Sequence, residues 1–273
     1  MGAQTMDHAQ RHIQREADSH GTRWQVLHQG YFGDADTVRP LVDAILHALA
    51  HSRPTVIADL GGGTGFLLCQ LLHREPGLQA RLVNVDLSDR QLAACQDPRI
   101  EGLQRSAAEV TREELGVGSG TLMLVMRSVL HYFGREGLSG VLAHLRAQMK
   151  PGERLVHQTA SFAGADEAVC VNRLYELMRT DKWYPTVAEL RLGLQDAGWA
   201  VERVAPAPAL RLDADELAQR YQLTDHDVQC IGDELAAQHG TIADVFLPHS
   251  PEGPTPGGFT AWLHYHVFTC RAV

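Results

Sequence analysis

Residues 59–65 read Asp-Leu-Gly-Gly-Gly-Thr-Gly, after the apolar run Thr55-Val56-Ile57-Ala58 and before Phe66-Leu67-Leu68-Cys69-Gln70-Leu71-Leu72. This order predicts a strand, a glycine-rich turn and a helix, with a carboxylate at the end of the strand. Glycines let the backbone turn sharply and approach a ligand with no Cβ in the way. Asp59 would repel a pyrophosphate, and a dinucleotide loop would want its third glycine where Phe66 stands. A ligand that is cationic near the loop fits better.

Arg81-Leu82-Val83-Asn84-Val85-Asp86 predicts a second strand that ends in another acid, Asp86. A carboxylate at that place accepts the hydroxyls of a ribose in nucleoside-binding α/β sheets. S-adenosylmethionine combines such a nucleoside with an ammonium and a sulfonium.

The rest of the chain is compatible with a large soluble core. Its 273 residues are 44% hydrophobic and 21% charged, which is ordinary for a globular protein. The formal net charge of -9 argues against a nucleic-acid binder that works by neutralising phosphates. No apolar run is long enough to span a membrane, and residues 1–30 are polar and carry no signal-peptide core. The five cysteines form no CxxC pair, which suits reduced thiols in a cytoplasm.

Apolar spacing predicts a helix over 36–50, a capped helix from Ser88, and strands at 100–103, 121–126 and 154–159. Thr111-Arg112-Glu113-Glu114 and Thr186-Val187-Ala188-Glu189 have the form of capping boxes, each opening a helix. A helix is expected over 138–149 and another over 166–182. A sixth strand is expected at 199–204, helix starts at 213–216 and 224–227, and a last strand at 259–270. Strand and helix alternation means a parallel sheet with helices on both faces, and ligands bind outside the carboxyl ends of such strands.

The acid, glycine turn and second acid together resemble the class I S-adenosylmethionine-dependent methyltransferases of the small-molecule type. The resemblance implies an α/β, Rossmann-like, doubly wound sheet of seven strands, mostly parallel, with an antiparallel last strand and helical cap insertions. Residues 1–50 would be an N-terminal helical segment and 51–160 the cofactor-binding core. A cap insertion would fill 161–185, the core would continue over 186–211, a second helical cap would span 212–257, and 258–273 would be the last strand. In this resemblance Asp59, Gly61, Gly63 and Gly65 cradle the cofactor, Asp86 holds its ribose, and Leu87 lies against its adenine. Many members have Gly-Asp-Ala where this chain has Ser106-Ala107-Ala108, so backbone groups at Ala107 would have to serve the adenine.

The segment Met126 to Phe133 lacks the Asn/Asp-Pro-Pro-aromatic signature of enzymes that methylate exocyclic or amide nitrogens. In one O-methyltransferase branch a histidine in a Leu/Cys-His-Asp-Trp segment is the general base. His131 stands at that place, followed here by Tyr132-Phe133, and is either the catalytic base or a histidine that packs the loop. Arg127 is a candidate for cofactor and anionic-substrate binding, or for an ion pair with a rim carboxylate. Tyr31 either closes over the cofactor or plugs the core. Trp183 and Tyr184 are candidates for a substrate wall, or for packing between cap and core. His264 and His266 share one strand face without a third ligand, so no metal is expected. The overall expectation is a cytoplasmic enzyme that methylates a small molecule, O-methylation first, with N- or C-methylation open. It would use neither nucleic acid nor membrane, and a homodimer through the cap is left open. The alternatives are a nicotinamide dehydrogenase, a protein that uses the cofactor for other chemistry, and a non-catalytic binding subunit.

Overall fold

The computed structural model describes residues 27–249 and 258–273. Strands β1 (Val56–Leu60), β2 (Arg81–Asp86), β3 (Ile100–Gln104), β4 (Leu122–Arg127) and β5 (Arg154–Ala160) run parallel. β6 (Trp199–Asp213), β7 (Phe246–Pro248) and β8 (Phe259–Ala272) complete one sheet in the order β3-β2-β1-β4-β5-β8-β6, with β7 on β8. β8 is antiparallel to β5, β6 and β7. The fold is the mixed α/β, Rossmann-like architecture that the sequence predicts, with one short strand more than the seven expected.

Helices α1 (Ala35–His51) and α2 (Phe66–Arg74) cover one face of the sheet. Helices α4 (Gly134–Ala147) and α6 (Val187–Asp196) cover the other. β4 shows why its sequence is apolar throughout: Leu122, Leu124 and Met126 enter the cluster with Val141, Leu142 and Leu194. Met123 and Val125 enter the opposite cluster with Leu41, Ile45 and Leu68. A strand buried on both faces shows no polar alternation. Each such leucine contributes roughly 1.5–3 kcal/mol by leaving water. A third cluster joins α5 (Ala165–Leu177), α7 (Ala214–Tyr221) and α8 (Asp225–His239) to β7 and the start of β8.

Three local expectations are corrected. The sixth strand does not stop at Val204 but continues to Asp213, through Pro206 and Pro208. It is the sheet's edge, paired on one side only, where a residue without an N–H is tolerated. The Thr111 box forms its hydrogen bonds with Glu114 but opens no helix, because the chain turns at Gly116 and Gly118 with positive φ. The helix from Ser88 is a single turn, α3 (Asp89–Leu92), with Ser88 Oγ accepting from Gln91 N. The Thr186 box and its helix are as expected. The expected segment before Leu27 and most of the Pro/Gly loop before Gly258 lie outside the described residues. No helix among the described residues is long and apolar enough to cross a membrane.

Candidate active site at the carboxyl rim

The turn after β1 is clamped to β2. Gly61 N and Gly62 N donate to Val85 O at 2.7 and 3.2 Å, and Gly63 N donates to Asp86 Oδ2 at 2.9 Å. Buried Asn84, paired in register with Asp59, donates through Nδ2 to Gly63 O at 2.8 Å. β2 therefore sets the shape of the loop that follows β1. A Cβ at Gly62 would lie 2.1 Å from Asn84 Oδ1 and 2.5 Å from Asp59 Oδ2, so no larger residue fits there. Gly63 has φ of +57°, which L side chains rarely adopt.

Above this turn lies an open cavity on the β1–β4 side, where the chain order of the sheet reverses. Its floor is Asp59, Gly61, Gly62, Gly63 and Thr64. One wall is Asp86, Leu87, Gln91 and the stretch Arg105-Ser106-Ala107. The opposite wall is Arg127, Ser128, Val129, Tyr132 and Phe133, and Phe32, Phe66 and Leu67 complete the lining.

Asp59 is 1% exposed and neither of its carboxylate oxygens has a hydrogen-bond partner among the described residues. Burial, reinforced by the Asp86 charge and opposed by Arg127, pushes its carboxyl up to about 7. Asp86 accepts from Gly63 N and, through Oδ1, from Ser88 N at 2.9 Å. Burial raises its carboxyl while those backbone bonds pull it down.

Arg127 holds the N-terminal elbow, the 3-10 segment Leu27–Gly33, against the sheet. Its Nη1 donates to Phe32 O at 3.0 Å, and Nη2 donates to Tyr31 O and Thr37 Oγ1. Its guanidinium lies over the Tyr31 and Phe32 rings, and burial lowers its pKa. No carboxylate pairs with it among the described residues. Of the two alternatives, an anionic substrate group or a rim carboxylate, neither is seen at Nη1 and Nη2, which two carbonyls and the Thr37 hydroxyl engage.

Asp59, Gly61, Gly63, Asp86, Leu87, Ala107 and Arg127 thus meet at one cavity, whereas Gly65, Tyr31, His131, Trp183 and Tyr184 do not line it. Gly65 caps α2 from below. Tyr31 is buried: its hydroxyl donates to Pro208 O at 2.6 Å and its ring stacks on Tyr265, so Phe32 is the elbow residue that faces the cavity. His131 is 6% exposed, with its ring stacked on Tyr184 and tilted against Tyr132. Tyr184 is fully buried between His131 and Tyr175. Trp183 donates its backbone N–H to His131 O and carries Arg135 over its ring. These aromatic residues pack behind the wall that Tyr132 and Phe133 present.

Sequence reasoning did not single out Gly62, Phe32, Gln91, Ser128, Tyr132 or Phe133. Ser128 has φ of +60°, donates N–H to Gln158 O and bonds through Oγ to Tyr265 at 2.7 Å. Such a conformation is held only where the surroundings over-determine it.

Comparison with known proteins finds likenesses in sequence and in fold. A family model described as a methyltransferase domain matches residues 57–152. A 3-amino-4-hydroxybenzoate 4-O-methyltransferase of Streptomyces cremeus is 32% identical over 106 residues, 37% of this chain. The match spans only 27% of that relative's length. A putative methyltransferase from Bacillus halodurans C-125 superposes with a TM-score of 0.64 at 14% identity, over 85% of this chain and 98% of its own. The 1,6-didemethyltoxoflavin-N1-methyltransferase of Burkholderia thailandensis, solved with S-adenosylhomocysteine, has a TM-score of 0.55 at 18% identity, over 94% and 87% of the two chains. Residues 57–152, which with Phe32 line the cavity, are thus similar to a methyltransferase domain, and the fold is that of the solved methyltransferases.

Proposed function

We propose that this chain transfers a methyl group from S-adenosylmethionine to a hydroxyl of a small molecule, leaving S-adenosylhomocysteine. The observation that carries the reading is Asp59, a buried carboxylate whose oxygens have no hydrogen-bond partner among the described residues, in one cavity with the glycine turn and Asp86. A buried charge is stable only when paired, so a cationic ligand group completes this site. Asp59 would face the ammonium of the cofactor, and Asp86 would accept its ribose hydroxyls. The backbone at Ser106-Ala107 would meet its base. Gly62 is required for the cradle to close on Asn84 and Asp59, since a Cβ there would collide with both side chains.

The bound cofactor supplies a methyl group already activated by its positive sulfur. The chain's own task is then alignment and exclusion of water, which the apolar wall of Val129, Tyr132 and Phe133 supports. The lining holds no histidine among the described residues. A phenolic hydroxyl, with a pKa of about 10, loses its proton far more readily than an alcohol and suits a site without a strong base. The acceptor named for the Streptomyces cremeus relative is also a ring hydroxyl. His131 acts in this reading as a positioning residue behind Tyr132, in place of the general base expected from the sequence. We further assign α5, α7 and α8 to the cap expected over 161–185 and 212–257.

The test is a calorimetric titration with S-adenosylmethionine, S-adenosylhomocysteine and NAD, followed by transfer of labelled methyl to a panel of phenols, alcohols and amines. Micromolar binding of both adenosyl ligands, none of NAD, and label on a phenol is the expected result. No binding of either adenosyl ligand overturns the cofactor, and label found only on amines overturns the hydroxyl acceptor.

A further inference from the structure

We infer that Cys69 and Cys95 form an oxidisable dithiol, a modification site that takes a hydroperoxide and closes into a disulfide that weakens cofactor binding. The second half of this inference rests on the cofactor reading above. Cys95 Sγ lies 2.8 Å from the point a Cβ of Gly65 would occupy, and Cys95 Cβ lies 3.5 Å from it. Cys69 stands one turn further along α2, its N–H bonded to Gly65 O at 3.0 Å. Cys95 thus sits over the glycine that opens the helix, and its sulfur is close enough to Cys69 to act on that thiol electrostatically. Both are partly exposed and free, while Cys170 and Cys270 are buried, and exposed Cys230 contacts His226.

The roles within the pair follow from their surroundings. Burial and the neighbouring Cys95 sulfur push the Cys69 thiol up to about 11, so it keeps its proton at neutral pH. The Cys95 sulfur attacks first in this inference, displacing hydroxide from hydrogen peroxide and becoming a sulfenic acid. The Cys69 sulfur then attacks, giving the disulfide and water. In sum, two thiols and one peroxide yield one disulfide and two waters, with the sulfurs oxidised and the peroxide reduced.

The link to the cavity runs through the turn after α3. Cys95 N–H bonds to Leu92 O, and Ala94 N–H to Gln91 O. Gln91 lines the cavity, and its Oε1 lies 2.6 Å from the point a Cβ of Gly63 would occupy. A disulfide requires the sulfurs to close to about 2 Å. That closure draws Cys95 off Gly65 and moves the turn that holds Gln91 against the loop.

The experiment treats the full chain with hydrogen peroxide, maps disulfide peptides by mass spectrometry, and titrates reduced and oxidised protein with S-adenosylhomocysteine. A Cys69–Cys95 cross-linked peptide, an affinity loss of roughly tenfold and recovery on thiol reduction are expected. Cys95→Ser should bind like the reduced protein before and after peroxide. By reciprocity, saturating S-adenosylhomocysteine should shift the dithiol–disulfide equilibrium toward the reduced pair in a glutathione redox buffer. Absence of that peptide overturns the dithiol, and a cross-link with unchanged affinity overturns its coupling to the site. If reduced protein does not bind the ligand at all, the cofactor reading fails and the peptide map alone decides the dithiol.

Discussion

Two buried carboxylates sit at opposite ends of the same sheet and are treated in opposite ways. Glu153, at the start of β5, is saturated. Oε1 accepts from Arg112 Nη2 at 2.9 Å and Leu122 N at 2.8 Å, while Oε2 accepts from Arg112 Nη1 and Lys150 N at 2.7 Å each. Asp59, at the end of β1, has burial equal or greater and no partner among the described residues. The difference teaches where to look for function. A buried charge that the fold has fully bonded serves the fold, and one left without bonds waits for something else.

The largest expected effect lies at the saturated end. Glu153→Ala leaves Arg112 without its carboxylate and two backbone N–H groups without acceptors, which should lower unfolding stability by about 3–5 kcal/mol. Denaturant titration measures this, and affinity per folded molecule for S-adenosylhomocysteine should stay unchanged. A comparable loss of affinity would break the contrast between the two ends. Next in size, Asp86→Ala should weaken cofactor binding by about 1–3 kcal/mol, read by calorimetry. Unchanged affinity would remove Asp86 from the ribose role.

Asp59 sharpens the contrast through pH. Its folded-state carboxyl, up at about 7, lies above the unfolded value of about 3.9. The folded state therefore binds more protons between these values, and stability falls as pH rises through that window and levels off above it. Each pH unit there removes up to about 1.4 kcal/mol. Asp59→Asn should abolish that slope. In the native chain, affinity for the cationic S-adenosylmethionine should rise from pH 6 to pH 8 as Asp59 ionises, and in Asp59→Asn it should not. Equal pH profiles for the two proteins would mean that Asp59 does not face the cation.

The sequence made the floor of the site legible because its determinants are local: an apolar run, a terminal acid and glycines in series specify Asp59 and its turn without knowledge of the rest. Asp86 was legible for the same reason. Asn84, Gln91 and Ser128 were not, since each matters through an approach made only after folding: Asn84 to Gly63, Gln91 to Gly63, Ser128 to Tyr265. The passage of β6 through Pro206 and Pro208 depends on its being an edge, which is a property of the sheet order. The aromatic residues were recognised as important, but periodicity does not separate a wall from what stands behind it. Tyr132 and Phe133 line the cavity, whereas Trp183 and Tyr184, open to either a wall or a packing role, do not.

Tyr31 gives the smallest expected effect and separates a lid from a plug. A tyrosine that closed over the cofactor would change affinity when altered, whereas one that plugs the core changes only stability. Its hydroxyl bonds to Pro208 O on β6, and its ring stacks on Tyr265 of β8, so it ties the elbow to the far edge of the sheet. Arg127 reaches the same elbow from the rim and lies over the Tyr31 ring at 5.6 Å. Tyr31→Phe keeps the ring, its stacking and the cation over it, and removes two hydrogen bonds, the one donated to Pro208 O and the longer one accepted from Gln158 Nε2. The expected cost is about 1 kcal/mol of stability in denaturant unfolding, with S-adenosylhomocysteine affinity unaltered in the same preparation. A several-fold loss of affinity at constant stability would reverse the assignment and make Tyr31 part of the functional rim beside Phe32.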